Sequence, residues 1–199
     1  MALECLVIGL GIFGKSLAEN LKAEGAMVVG LDINEKFLKE ADKFLDQSVK
    51  IDATQEDNLR VLGIDNFDYI FVCIGVNMQA SLIITLHLNN LGARKIIARS
   101  NSSEHSLILQ RLGVHRVISP ETEMGARLAQ EVTSNFDNFI KFSDDFTVIQ
   151  MEVPHSMIGK TLRELNLRKN YQVSVLSVIR YEPFVNHHGE DTLLKNIEI

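Results

Sequence analysis

Short apolar runs alternate with segments of helical spacing over the first 118 residues. The runs are Leu3–Ile8, Ala26–Leu31, Ser48–Ile51, Tyr69–Ile74, Lys95–Ala98 and Arg116–Ile118. The strongest, Tyr69–Ile74, is continuous rather than alternating, which predicts strands buried on both faces, as in a parallel sheet. Between the runs, apolar residues recur at helical spacing: Phe13, Leu17 and Leu21 within Phe13–Glu24, and Leu82, Ile83, Leu86 and Leu91 within Ala80–Leu91. Asn34 is a candidate cap for a helix over Glu35–Phe44, and Thr54 for one running to Leu62. Ser102 or Ser103 suits a helix ending at Leu112, with Gly113 closing it. Strand, helix, strand in this rhythm predicts βαβ units with right-handed crossovers, and so a Rossmann-like, doubly wound parallel α/β sheet.

The texture changes at Pro120. Glu121–Asn135 predicts one amphipathic helix, with Met124, Leu128 and Val132 on a single stripe. Residues 137–145 read as a linker. Phe146–Val153 alternates like a strand, Thr161 with Glu164 forms a capping box for a short helix to Leu165, and Val173–Arg180 reads as another strand. The expected organisation is an α/β lobe over 1–118, a helix over 119–136, the linker, and a small α+β lobe over 146–199.

Composition narrows the classes without choosing among them. Of 199 residues, 46% are hydrophobic and 23% charged, which is globular and excludes disorder. Asp and Glu number 26 against 20 Lys and Arg, a net charge of −6, with no basic run, so no nucleic-acid partner is expected. No apolar stretch is long enough to cross a bilayer, so no direct membrane insertion is expected. The opening Met1-Ala2-Leu3-Glu4-Cys5 lacks the basic start of a signal peptide. Cys5 and Cys73 sit in apolar runs, form no Cys-x-x-Cys pair and read as small buried hydrophobes in a cytoplasmic protein.

The chemistry concentrates in Gly9-Leu10-Gly11-Ile12-Phe13-Gly14, a G-x-G-x-x-G that follows a predicted strand and opens a predicted helix. Gly9 permits the tight turn, Gly11 lets the backbone approach a pyrophosphate, and Gly14 lets helix and strand pack closely. Asp32 ends the second predicted strand, where a carboxylate binds both ribose hydroxyls and repels a 2′-phosphate. Asp52-Ala53-Thr54 after the third either meets the adenine edge or caps the next helix. No proton relay for an oxidoreductase stands out. His87 lies among apolar neighbours in a helix, His105 and His115 lie near helix ends, and His187-His188-Gly189-Glu190-Asp191 reads as a polar loop before a metal site. A nucleotide sensor without enzymatic turnover fits best. A small NAD-dependent oxidoreductase and a stand-alone cyclic di-AMP receptor are the alternatives.

The ordered set of motifs resembles a known family. Val7–Gly14, Leu31-Asp32-Ile33-Asn34-Glu35, Asp52-Ala53-Thr54, Phe71–Gly75, Asn77–Ser81, Ser119–Gly125 and Ile158–Arg168 resemble, over nearly the whole chain, the cytosolic gating subunits of Ktr/Trk potassium uptake systems. These are built from the regulator-of-conductance-of-potassium (RCK) domain, with its KTN/TrkA-N and TrkA-C lobes, and the likeness is to the KtrA-like members. The resemblance implies dimers that assemble into an octameric ring on a membrane potassium-translocating subunit, at the inner face of the cell membrane. It implies NAD(H) or ADP/ATP in the first lobe, contacted by Gly9, Gly11, Ile12, Phe13, Gly14, Asp32, Ile33, Asp52, Ala53, Thr54, Ile74, Gly75 and Arg99. Glu121 would help hold Mg2+ or another cation beside the phosphates. Ile158, Arg168 and Asn170 would contact cyclic di-AMP in the small lobe, and Glu121–Asn135 would be the crossover helix of the dimer. Ile12 departs from the Arg of many relatives, which favours NAD(H), ADP or AMP over ATP. The family's small lobe also continues past the position of Ile199, so that lobe is expected to be incomplete.

Overall fold

The computed structural model describes residues 2–133, 138–143, 145–185 and 191–198. It divides into two units, Met1–Val132 and Thr133–Ile199.

The first unit holds six strands: β1 (Glu4–Ile8), β2 (Met27–Asp32), β3 (Gln47–Lys50), β4 (Tyr69–Val72), β5 (Ile96–Arg99) and β6 (Arg116–Ile118). They form one parallel sheet in the order β3-β2-β1-β4-β5-β6. Helices α1 (Ile12–Ala23), α2 (Glu35–Ala41), α3 (Glu56–Val61), α4 (Met78–Asn90) and α5 (Ser103–Arg111) connect them, and α6 (Pro120–Thr133) follows β6. This is the Rossmann-like sheet expected from the sequence.

β1 shows why its run is continuous. Leu6 and Ile8 face a core with Leu59 of α3, Ile84 and Leu88 of α4 and Leu109 of α5. Cys5 and Val7 face the opposite core, with Ala18 of α1 and Leu38 and Ala41 of α2. A strand with apolar neighbours on both faces has no polar alternation to display. Each leucine buried this way contributes about 1.5–3 kcal/mol. Both cysteines are buried and free.

The boundaries differ from expectation in instructive places. β4 ends at Val72; Cys73 still donates its N–H to the Ile8 carbonyl (2.8 Å), and the chain then leaves the sheet through Ile74 and Gly75. α2 ends at Ala41, and Phe44 lies in the turn beyond it. α4 starts at Met78 because the Asn77 side chain accepts the Ala80 N–H.

In the second unit, β7 (Asn138–Lys141) pairs antiparallel with β8 (Thr147–Gln150), so part of the expected linker is strand; residues 134–137 and 144 lie outside the described ones. Short helices α7 (Leu162–Leu165) and α8 (Leu167–Tyr171) follow. Thr161 and Glu164 form the expected capping box on α7. β9 (Val178–Val185) and β10 (Asp191–Glu198) form an antiparallel ribbon in register from Val178↔Glu198 to Val185↔Asp191. The strand expected at Val173–Arg180 therefore starts five residues later, and β10 appears where none was expected. A two-stranded ribbon tolerates Pro183, because a strand with an open edge can leave its N–H position unpaired. His187–Glu190 lie outside the described residues. No residue of this unit whose side chain is described is buried, and Leu162, Leu176 and Tyr181 are all exposed.

Candidate nucleotide-binding site

The strand order reverses between β1 and β4, and the crevice at their carboxyl ends is where an open α/β sheet accepts a ligand. The glycine turn stands on one side of it. Gly9 has φ +93°, a conformation open to glycine, and its N–H is fixed to the Leu31 carbonyl at 2.8 Å. A Cβ on Gly14 would overlap the Gly9 carbonyl oxygen, so helix and strand meet there only because Gly14 has no side chain. A Cβ on Gly11 would meet nothing within 4 Å. That open space lies over the first turn of α1.

No side chain caps α1, and its first turn carries no acid. By contrast α2, α4 and α5 are capped by the side chains of Asn34, Asn77 and Ser102. The first N–H groups of a helix have no partner within it, and they carry a partial positive charge. Around Gly11, Ile12 and Phe13 these groups are left for an anion. Ile12 is almost wholly exposed (94%) and brings no charge of its own.

Asp32 does more than the sequence implied. Its Oδ2 accepts the Leu10 N–H and its Oδ1 the Asn34 N–H, both at 2.7 Å. The carboxylate thus ties the glycine turn to the end of β2. An ionised carboxylate accepts about four hydrogen bonds, so capacity for two ribose hydroxyls remains. Ile33 beside it is exposed.

At the end of β3, the Ile51 N–H donates to the Asp32 carbonyl (3.2 Å), which brings Asp52 onto the same sheet edge. Asp52 Oδ1 accepts from the Thr54 hydroxyl (2.6 Å) and amide (3.0 Å), and these bonds hold its carboxyl below the ordinary range. Thr54 is therefore not the cap of α3. Gln55 holds that position without a side-chain bond, because the Thr54 hydroxyl is spent on the Asp52 turn. Ala53 is buried behind it.

On the β4 side, Ile74 and Gly75 border the crevice. The Cys73 thiol beneath is pushed up to about 12 by burial and is chemically inert. Gly75 leaves room for Arg99: a Cβ there would come within 2.5 Å of Arg99 Nη1. The Arg99 guanidinium carbon lies 5.6 Å from the centre of the Phe13 ring, and its Nη2 donates to Glu121 Oε1. Arg99, Phe13, Gly75 and Glu121 thus converge.

Asn101 was not read from the sequence, and His105 was read only as a histidine near a helix end. Asn101 Nδ2 donates to the Gly75 carbonyl (2.7 Å), and Asn101 Oδ1 lies 3.0 Å from His105 Nδ1. His105 is fully buried, and burial pushes its pKa below the ordinary value. No local spacing marks Asn101; the β4–β5 register carries the chain end of one strand beside that of the other.

The residues expected to contact cyclic di-AMP lie in the second unit. Asn170 donates to the Leu165 carbonyl (2.9 Å) and lines a cavity of about 490 Å³ with Ser156, Lys160, Glu164 and Tyr171. Ile158 and Arg168 are exposed and do not line that cavity.

Residues 5–120 match the TrkA-N domain, which is more than half of the chain. The chain belongs to the TrkA-N family. It is a KtrA-like RCK subunit, 34% identical over 185 residues to the Ktr system potassium uptake protein A of Bacillus subtilis (strain 168), a match covering 92% of this chain and 80% of that one. Two solved structures share the fold at 17% identity. The GsuK channel bound to NAD superposes with a TM-score of 0.66 over 89% of this chain and 33% of that chain. GsuK bound to ADP does so with a TM-score of 0.57 over 68% of this chain and 36% of that chain. None of the described helices of this TrkA-N protein is long and apolar enough to cross a membrane. Among the described residues no group of three or more His, Cys, Asp or Glu is placed to hold a metal ion.

Proposed function

We propose that this chain is a nucleotide-sensing regulatory subunit of a membrane potassium transport system, acting from the cytoplasmic face. The observation that carries the proposal is the uncapped first turn of α1 at the β1/β4 switch point, with open space over Gly11 and the Asp32 carboxylate beside it. The pyrophosphate of NAD(H) or ADP would lie on the amides of Gly11, Ile12 and Phe13, with the ribose on Asp32 and the adenine towards Ile33 and Asp52–Thr54. Ile74 and Gly75 would border the phosphates and Arg99 would reach them. The relative named for potassium uptake and the GsuK structures bound to NAD and ADP support this assignment. No turnover is assigned to the site. His105 is buried against Asn101, and His87 Nδ1 lies 3.1 Å from Glu56 between α4 and α3.

Regulation requires that a nucleotide bind one conformation of the assembly better than another. α6 is suited to transmit such a preference. It buries none of its residues, and Met124, Leu128 and Val132 form an exposed apolar stripe that a second copy of the chain would cover. The second unit, with its exposed apolar residues, would complete its core in the same dimer, and dimers would build the octameric ring that docks on the membrane subunit. Glu121 would hold Mg2+ or a similar cation beside the phosphates, and the lobe carrying Ile158, Arg168 and Asn170 would take cyclic di-AMP.

A thermal-shift panel tests the proposal, with ATP, ADP, AMP, NAD+, NADH, NADPH and cyclic di-AMP, each with and without Mg2+. A ligand that binds the native state raises Tm by mass action. Adenine nucleotides should raise it, and the rise should shrink in Asp32→Ala. No rise with any adenine nucleotide removes the proposal.

A further inference from the structure

Arg99 stands between the glycine turn and the first turn of α6. Its side chain is only 20% exposed, confined by Phe13 on one side and Gly75 on the other. Its Nε is buried, with no partner among the described residues. Its outer edge is given to Glu121, which is itself 66% exposed. The neighbouring acid, Glu123, is committed elsewhere: its Oε1 accepts the Ser119 N–H at 3.0 Å. The Ser119 hydroxyl lies 3.1 Å from that of Ser100, the residue after Arg99. The Arg99–Glu121 pair is one of the bonds by which the first turn of α6 meets the end of β5.

We propose that Arg99 is an exchange point: it holds Glu121 in the ligand-free protein and gives up that carboxylate to a nucleotide phosphate at the start of α1. The inference rests on the nucleotide assignment above and adds how occupancy reaches α6. A confined guanidinium offers its donors in a fixed fork, which matches a phosphate in two-point geometry. Phe13 belongs to the first turn of α1, so a guanidinium over its ring borders the space where a phosphate would sit. Two anions on one guanidinium edge repel each other, so phosphate and Glu121 each weaken the other's hold. That weakening is reciprocal by linkage: whatever frees Glu121 tightens nucleotide binding by the same factor. When Mg2+ is present, the cation role proposed for a released Glu121 acts with the opposite sign, so the exchange is read without divalent ions.

Calorimetric titration with ADP in EDTA separates the cases, on wild type, Glu121→Gln, Arg99→Gln and the double variant, with adenosine as the phosphate-free control. Melting temperatures report that each variant is folded. Glu121→Gln should bind ADP about two- to fivefold more tightly, the factor that corresponds to releasing a partly exposed ion pair. Arg99→Gln should bind more weakly, and in that background Glu121→Gln should change nothing. Adenosine affinity should be the same in wild type and Glu121→Gln. Amide exchange over residues 119–124 should speed up with ADP in wild type and not in Arg99→Gln. Unchanged or weaker ADP binding by Glu121→Gln overturns the inference. So does equal tightening in the Arg99→Gln background, which would be a general field effect. Failure of wild type to bind ADP removes the nucleotide assignment and this inference together, whereas binding with an unresponsive Glu121→Gln removes the exchange alone.

Discussion

The two glycines at the start of α1 make opposite demands, and alanine at each separates fold from ligand. In Gly14→Ala the new Cβ overlaps the Gly9 carbonyl oxygen and lies 3.1 Å from Cys73 Cβ. The overlap is with backbone, which cannot swing aside, so α1 must withdraw from β1 and β4 and loosen the core that holds Ala18. Overpacking of this kind costs about 1–3 kcal/mol, and a backbone clash sits at the upper end. For a chain of this length, about 3 kcal/mol lowers Tm by roughly 6–12 °C. In Gly11→Ala the backbone already has φ −63°, which alanine adopts freely, and the Cβ meets nothing within 4 Å. Its stability should stay within about 0.5 kcal/mol of wild type. The same Cβ takes the room a pyrophosphate needs over the α1 amides, so ADP affinity should fall at least tenfold, about 1.4 kcal/mol. Calorimetric melting and ADP titration of both variants supply the readouts. A Gly14→Ala protein as stable as wild type would refute the packing argument. A folded Gly11→Ala protein that binds ADP as wild type does would refute the phosphate assignment.

Three further outcomes are expected. Asp32→Ala should weaken ADP and NAD+ by about 1–3 kcal/mol, the range for losing hydrogen bonds to a charged group, and equal affinity by titration would move the ribose elsewhere. His105 is held neutral by burial, so its folded pKa lies below the ordinary value of about 6.5. The unfolded chain takes that proton first; stability from this residue is complete above about pH 6.5 and is lost as pH falls below it. Melting of wild type should therefore fall more steeply between pH 6.5 and 5 than that of His105→Gln, and parallel curves would contradict this. Leu88→Ala, at a fully buried position of α4, should cost about 2–5 kcal/mol in denaturant unfolding.

The sheet was legible because its central strands, β1 and β4, are buried on both faces. Tyr69–Ile74, and Leu3–Ile8 apart from Glu4, are apolar without alternation, and Gly14 sits where close packing of helix on strand demands it. The second unit was less legible. β7 and β10 belong to two-stranded ribbons, so no two-faced core imposes a pattern on their sequences. Thr54 was open to two roles because a hydroxyl before a helix can serve a cap or a turn, and only the Asp52 geometry decides. In the site, Asp32 and the glycine turn follow from local order along one βαβ unit. The Asn101–Gly75 and Arg99–Glu121 contacts join residues 26 and 22 positions apart, and they depend on strand register rather than spacing.

The most direct test of the nucleotide assignment is the electron density of crystals grown with ADP. The diphosphate should lie within hydrogen-bond distance of the amides of Gly11, Ile12 and Phe13, with the ribose hydroxyls on Asp32. ADP bound at another place, such as the cavity lined by Lys160 and Asn170, with the α1 crevice free, would contradict the account.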